Sequence, residues 1–225
     1  MVSSPLKSKP NSGIAMEKLR SLIFSGELGA GTDHLESELA ATLGMSRTPV
    51  REAVLMLEAQ GLLDVRPRKG VRIRPLSPSD MAEVYDVLSE LESLAAADAA
   101  QKGYGPGDLA GLTKAIDAMD EALARDDRES WASADEAFHR ELVRLGGNSR
   151  VATIVAMMSD QVRRARMVTL YMRPAPTQSN QDHRLVRDAI AQGAPDTARN
   201  LHRAHREAAK TLIVSLLERH HLTRL

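Results

Sequence analysis

The stretch from Leu35 to Ile73 constrains this chain more than any other. Leu35, Leu39 and Leu43 recur at i, i+4 and i+8, one face of a short helix, and Gly44 then permits a tight turn. A second helix starts at a hydroxyl cap, Ser46 or Thr48, with Pro49 in its first turn, where a missing amide leaves no partner wanting. Its apolar stripe is Val50, Val54 and Leu57, with Leu55 as a fourth candidate. Arg47 and Arg51 sit four residues apart in the first turns, off that stripe. Helix, glycine-bearing turn and a helix with paired arginines near its N-terminus is the layout of a DNA-reading helix-turn-helix. The same residues also fit two packed helices with solvated arginines, and the segment that follows favours the first reading. Leu62, Leu63 and Val65, then Val71 and Ile73, alternate with polar residues around Pro67 to Gly70, which predicts a two-stranded hairpin. Its cations, Arg66, Arg68, Lys69 and Arg72, suit a wing that approaches phosphates or the minor groove, and Gly70 would let the backbone come close.

The rest of the chain bounds what surrounds this head. At 225 residues there is room for one large domain or two small ones. With no cysteine, there is neither a disulfide framework nor a cysteine-based metal site. No secretory h-region and no membrane-length apolar run is present, so a cytoplasmic protein with no membrane contact is expected. Aromatic content of 3%, with alanine-rich tracts, favours helices over a β-sandwich. Net charge is zero, but residues 1–77 hold 11 Lys/Arg against 8 Asp/Glu, while the remainder holds 19 against 22. A slightly basic front and a slightly acidic back have the sign expected of a DNA-binding head on a separate body.

In chain order, residues 1–13 read as a flexible basic tail, 14–76 as the winged helix-turn-helix and 77–225 as an all-α bundle. Ile14 to Phe24 is an amphipathic helix that ends in the glycines at 26, 29 and 31. Ser77-Pro-Ser-Asp80 reads as linker and N-cap. Six helices follow, over about 80–102 (with Val84, Val87, Leu88, Leu91 and Leu94 apolar), 108–125, 129–145, 148–172, 180–192 and 195–219, with mostly short loops.

In this bundle, polarity and periodicity conflict. The stripe Trp131, Ala134, Phe138, Leu142 has Asp135 and His139 on or beside it. His183 is in phase with Val186 and Ile190, and His205 with Ala198, Leu201 and Leu212. One carboxylate and three imidazoles therefore project from three helices toward one interior. Buried polar groups need partners, and a divalent ion held by Asp135, His139, His183 and His205 would satisfy all four together. This donor set suits zinc, nickel, manganese or iron. His202 lies beside His205 as a neighbour, and His220 and His221 read as solvated tail residues.

Two resemblances cover most of the chain. Ile14 to Arg74 resembles the GntR-type winged helix-turn-helix regulators, on Ile23, Gly26, Gly31, Leu35, Glu36, Leu39-Ala40, Leu43-Gly44, Ser46 to Glu52, Gly61-Leu62, Pro67 and Gly70. Ser77 onward resembles FCD, the helical ligand-binding domain of the FadR subgroup, on Asp135-x3-His139, Asn148, His183-x2-Val186-x2-Ala189-Ile190-x2-Gly193 and Ala198-x2-Leu201-x3-His205. The resemblance implies a DNA-binding transcription regulator, most simply a repressor, that binds double-stranded palindromic operator DNA as a homodimer. It implies DNA contacts from Ser46, Arg47, Thr48 and Arg51 on the reading helix and from Lys69 and Gly70 on the wing. It also implies a metal held by Asp135, His139, His183 and His205, with a small carboxylate effector at or near it.

Two departures stand out. Relatives commonly carry a carboxylate-holding arginine three residues after a tyrosine that matches Tyr85, and here that place is Leu88. Arg163, Arg164 and Arg166 are its candidate replacements. Ser37 occupies a place that is often a basic DNA contact. The alternatives from other classes are a helical metalloenzyme fused to a DNA-binding head, though no HExxH motif occurs, and a metal-free protein whose bundle only dimerises.

Overall fold

A computed structural model describes residues 10–105 and 107–220, and the chain divides into two compact units between Pro75 and Leu76. In the first unit the elements are α1 (Asn11–Phe24), β1 (Asp33–His34), α2 (Glu36–Leu43), α3 (Arg47–Ala59), β2 (Leu63–Arg66) and β3 (Gly70–Ile73). The expected tail of 1–13 falls mostly outside the described residues, and Asn11 already belongs to a helix. Leu19, Ile23, Leu39, Val50, Val54 and Leu57 meet in one core. On α3 the spacing i, i+3, i+4, i+7 places Val50, Ala53, Val54 and Leu57 wholly inside. Leu55 is instead 51% exposed, because it lies a quarter turn off that stripe. Gly44 closes α2 in the left-handed region (φ 63°), as the turn required.

The wing is larger than the two-stranded hairpin expected. Its sheet has three antiparallel strands in the order β1-β3-β2, with Asp33 opposite Arg72 and His34 opposite Val71 on one side of β3. On the other side Leu63 faces Ile73 and Arg66 faces Gly70. The two residues of β1 are too short a run to register as an alternating pattern, so sequence periodicity passes over them.

The second unit is helical: α4 (Pro78–Gln101), α5 (Ala110–Ala124), α6 (Arg128–Gly146), α7 (Ser149–Val168), α8 (Thr177–Ala191) and α9 (Pro195–Arg219). The helix starts follow their caps. Ser77 Oγ accepts from the Asp80 amide, with Pro78 at the first helical position. Asp127 Oδ1 accepts from Ser130, and Asn148 Oδ1 from Arg150 and Val151. Two boundaries differ from expectation. The helix expected to run to Met172 stops at Val168, and a 3-10 turn follows over Leu170–Met172. α8 starts three residues early, at Thr177, directly after Pro176.

α4 packs against α9, α6 and α7. Its alanines Ala95, Ala96, Ala99 and Ala100 are buried and let neighbouring helices come close. A Cβ on Gly146 would stand 2.8 Å from the Ala95 Cα, so α6 ends against α4 on a residue without a side chain. Val87, expected among the apolar residues of α4, faces outward at 40% exposure. Among the described residues, no helix is long and apolar enough to cross a membrane.

Candidate nucleic-acid interface and metal centre

In the first unit, α3 buries its apolar stripe and leaves its N-terminal end outside. Ser46, Arg47, Thr48 and Arg51 are all exposed. Ser46 is the N-cap residue, but its side chain makes no capping hydrogen bond. Arg47 and Arg51, one turn apart, share a solvent-facing side. On the wing, Arg66 and Arg72 both reach Asp33, at 3.5 and 3.4 Å, and Arg74 pairs with Asp64 at 2.7 Å. The base of the wing is thus partly neutralised, and its exposed cationic tip is Arg68 and Lys69. Gly70 has φ +86°, and a Cβ there would lie 2.1 Å from the His34 carbonyl oxygen. The close backbone approach expected of Gly70 is therefore made inside the protein, against β1. Ser37 is exposed on α2.

In the second unit, the four residues expected to meet do so. Asp135 and His139 come from α6, His183 from α8 and His205 from α9, and one donor atom of each lies within 4.8 Å of all the others. Trp131 helps set the helices, because its Nε1 donates to Asn180 Oδ1 at 2.8 Å and Asn180 Nδ2 donates to Asp120 Oδ1 at 2.7 Å. α5, α6 and α8 are thereby tied together. Asp135 Oδ1 lies 3.8 Å from His139 Nε2 and 3.7 Å from His183 Nε2. Ligands about 2.1 Å from a tetrahedral ion stand about 3.4 Å apart, close to this spacing.

The hydrogen bonding is more telling than the distances. Asp135 Oδ1 and the Nε2 atoms of His139, His183 and His205 are buried and have no hydrogen-bond partner. Buried polar atoms are rarely left so, and each one costs about 1–3 kcal/mol. The far sides of three of these residues face charged partners. Asp135 Oδ2 accepts from Arg166, His139 Nδ1 lies 3.2 Å from Glu92 Oε2, and His205 Nδ1 lies 3.3 Å from Asp182 Oδ2. A carboxylate behind an imidazole fixes its tautomer and turns the other nitrogen's lone pair inward, the arrangement usual behind metal-binding histidines. Burial pushes His139 and His183 well below the ordinary histidine range, so both are neutral near pH 7. Burial works most strongly on the Asp135 carboxylate and against its charge, but Arg166 and the other positive groups around it, Arg206 among them, together outweigh burial and hold the group below the usual carboxylate range. Three imidazoles and one carboxylate, with inward atoms lacking partners, fit a divalent ion.

Behind His139 is a buried group that the periodicity argument did not pick out. His202 is wholly buried, with Nε2 3.3 Å from His139 Nδ1 and Nδ1 3.1 Å from Ser93 Oγ. Glu92 also receives Arg206, whose Nε is 3.2 Å away. The signal for Glu92 was present in the sequence. It falls between Leu88 and Ala95-Ala96 on the buried face of α4, the same conflict that exposed Asp135. Of the three replacement arginines considered, Arg163 pairs with Glu136 at the surface, and burial pushes Arg164 down to about 10. Arg166 alone of the three lines the cavity of about 190 Å³ that Asp135 and His205 also line. Leu88 is buried in the core and does not line it.

The sequence model of the FCD domain matches residues 83–208, more than half of the chain, and that of the bacterial regulatory proteins of the gntR family matches residues 12–73.

This chain belongs to the GntR family of transcriptional regulators.

Both sites of this GntR regulator lie inside those matches. Relatives are regulators rather than enzymes. An HTH-type transcriptional regulator of Streptomyces ambofaciens is 34% identical over 85% of this chain and 80% of its own length. A Paenarthrobacter nicotinovorans protein named "Probable D-xylose utilization operon transcriptional repressor" is 33% identical over 78% of this chain and 76% of its own. Among solved structures, a GntR transcriptional regulator of Rhodococcus sp. RHA1 superposes with TM-score 0.72 at 25% identity, covering 91% of this chain and 97% of that one. E. coli McbR/YncC does so with TM-score 0.76, covering 96% and 99%, and at 20% identity shows likeness of fold.

Proposed function

We propose that this GntR regulator represses transcription by binding a palindromic operator as a homodimer, and that a small carboxylate, bound at a divalent ion in the helical unit, sets its operator affinity. One observation carries the metal part: the inward atoms of Asp135, His139, His183 and His205 converge without hydrogen-bond partners. These four residues would hold the ion, and the ion would supply a Lewis-acidic positive charge for a carboxylate oxygen. Support for repression comes from relatives named as repressors of the D-xylose utilization and gluconate operons. On the head, Arg47, Thr48 and Arg51 would enter the major groove, arginine being suited to guanine edges or phosphates. Ser46 would stand at the phosphates beside them, and Lys69, with Gly70 behind it, would bring the wing tip to the backbone or minor groove. A head of this size holds DNA weakly alone, so two related heads on two half-sites are expected. The acid must bind better to the protein in one of its DNA-competent or DNA-incompetent states, or it shifts nothing.

The test has two arms. Elemental analysis of the purified chain should find close to one divalent ion per chain, and its absence would remove the metal from this reading. A gel-shift titration on operator DNA, with and without short carboxylic acids, should show a change in affinity. Unchanged affinity across such a panel would remove the effector.

A further inference from the structure

We infer that the acid taken by this regulator has an apolar body, a short aliphatic or an aromatic carboxylate rather than a polyhydroxy sugar acid, and that Arg173 holds its carboxylate in place of the arginine missing at Leu88. The inference rests on the reading that an anion binds beside the centre, and it names the class of that anion.

Arg173 follows the 3-10 turn after α7, in a segment that is firmly held. Its own Nη2 donates to the Arg166 carbonyl at 3.2 Å. The next residue, Pro174, accepts from Arg128 Nη1 at 3.1 Å, and Arg128 itself reaches Asp126. Arg166 is paired with Asp135. Arg173, by contrast, has no carboxylate partner among the described residues, and its Nε is buried without a hydrogen-bond partner. Burial, and next the charge of Arg166, pushes its guanidinium down to about 10, as expected of a cation that lacks a counter-charge. Arg128, Arg166 and Arg173 line the same cavity as Asp135, Asp182 and His205. Arg128 is offset by Asp126 and Arg166 by Asp135, so the place for an anion is at the Arg173 guanidinium, which has no such carboxylate beside it. A planar guanidinium fork matches a carboxylate in two parallel hydrogen bonds.

The remaining wall decides the rest of the ligand. It is mostly apolar, made by Trp131, Leu170, Pro174, Ala208, Leu212 and Ile213, with Tyr85, Gln178 and Ser179 as its uncharged polar members. A methylene chain or a ring buries against such a wall favourably. The hydroxyls of a sugar acid would outnumber the uncharged polar groups of that wall, at a cost of about tenfold or more in affinity for each one stranded.

Isothermal titration of the purified full-length chain, metal content measured beforehand, tests this with hexanoate, benzoate, gluconate and hexan-1-ol. At least one of hexanoate and benzoate should bind about tenfold or more tighter than gluconate, and hexan-1-ol should not bind detectably. Arg173→Gln should weaken the preferred acid about tenfold or more while metal content and melting temperature stay as in the unmodified protein. Gluconate binding as well as both apolar acids, no binding of either apolar acid, or an Arg173→Gln titration that matches wild type would each overturn the inference. The four-compound comparison uses wild type alone, so it stands even if the variant folds poorly. Arg173-dependent binding of hexanoate or benzoate to metal-free protein would support the inference while removing the metal from the proposed function.

Discussion

His139 Nδ1 lies 3.2 Å from Glu92 Oε2, while the other ring nitrogen of His139, Nε2, is buried with no hydrogen-bond partner. The pair sets a carboxylate of α4 beside an imidazole of α6 and favours a proton on the nitrogen nearer to it. With Nδ1 protonated toward Glu92, the Nε2 lone pair points to the place where Asp135 Oδ1 lies 3.8 Å away. His202 Nε2 lies 3.3 Å from the same Nδ1 and 3.5 Å from Glu92 Oε2, so the carboxylate stands between two imidazoles. Glu92→Gln should therefore lower metal affinity by roughly 10–100-fold without removing a ligand. A zinc competition titration, with helix content checked by circular dichroism, measures this. An unchanged constant would mean that Glu92 does not orient His139.

His183→Ala should abolish stoichiometric metal binding and make the melting temperature indifferent to chelator. Wild type treated with chelator should melt lower than untreated protein, since an ion present at 100 times its dissociation constant contributes about 2.7 kcal/mol. A chelator effect of equal size in both proteins would place the ion elsewhere.

Arg51→Ala should weaken specific operator binding by about 1–3 kcal/mol and leave the fold intact, because Arg51 is exposed and the buried stripe of α3 does not include it. Lys69→Ala at the wing tip should instead weaken all sequences alike and reduce the slope of log affinity against log salt by about one. Gel shifts on specific and scrambled duplexes across a salt series separate the two. An Arg51→Ala variant with wild-type operator affinity would displace α3 as the reading helix.

Gly70→Ala should destabilise the DNA-binding unit by about 2–4 kcal/mol, since alanine would meet both an unfavourable positive φ and the His34 carbonyl. A urea melt followed on the isolated transition of that unit reads the change. Unaltered stability would show that β1 can yield at no cost.

Much of this is legible in the sequence. Val50, Val54 and Leu57 mark the inner face of α3 because helical spacing leaves no other way to bury them together, and the capping residues Ser77, Asp127 and Asn148 mark helix starts because their oxygens meet local amides. Asp135, His139, His183 and His205 were visible because a polar residue in phase with an apolar stripe must be buried, and then needs a partner. β1 was not legible: a two-residue strand has no period and is held only by pairing with β3 across nearly forty residues. Leu55 misled because an apolar residue can stand on an exposed face without changing the pattern around it.

The sequence by itself determined which residues turn inward on each helix, because that depends only on a repeat of 3.6 residues and on the cost of leaving apolar groups in water. Only the tertiary structure decided which inward-facing atoms meet. The approach of Glu92 to His139, the pairing of Arg166 with Asp135 rather than with a free ligand, and the placing of Arg173 in the cavity wall all depend on how separate helices and one 3-10 turn pack. Those are contacts between residues far apart along the chain, set by the packing of whole elements, and no local pattern encodes them.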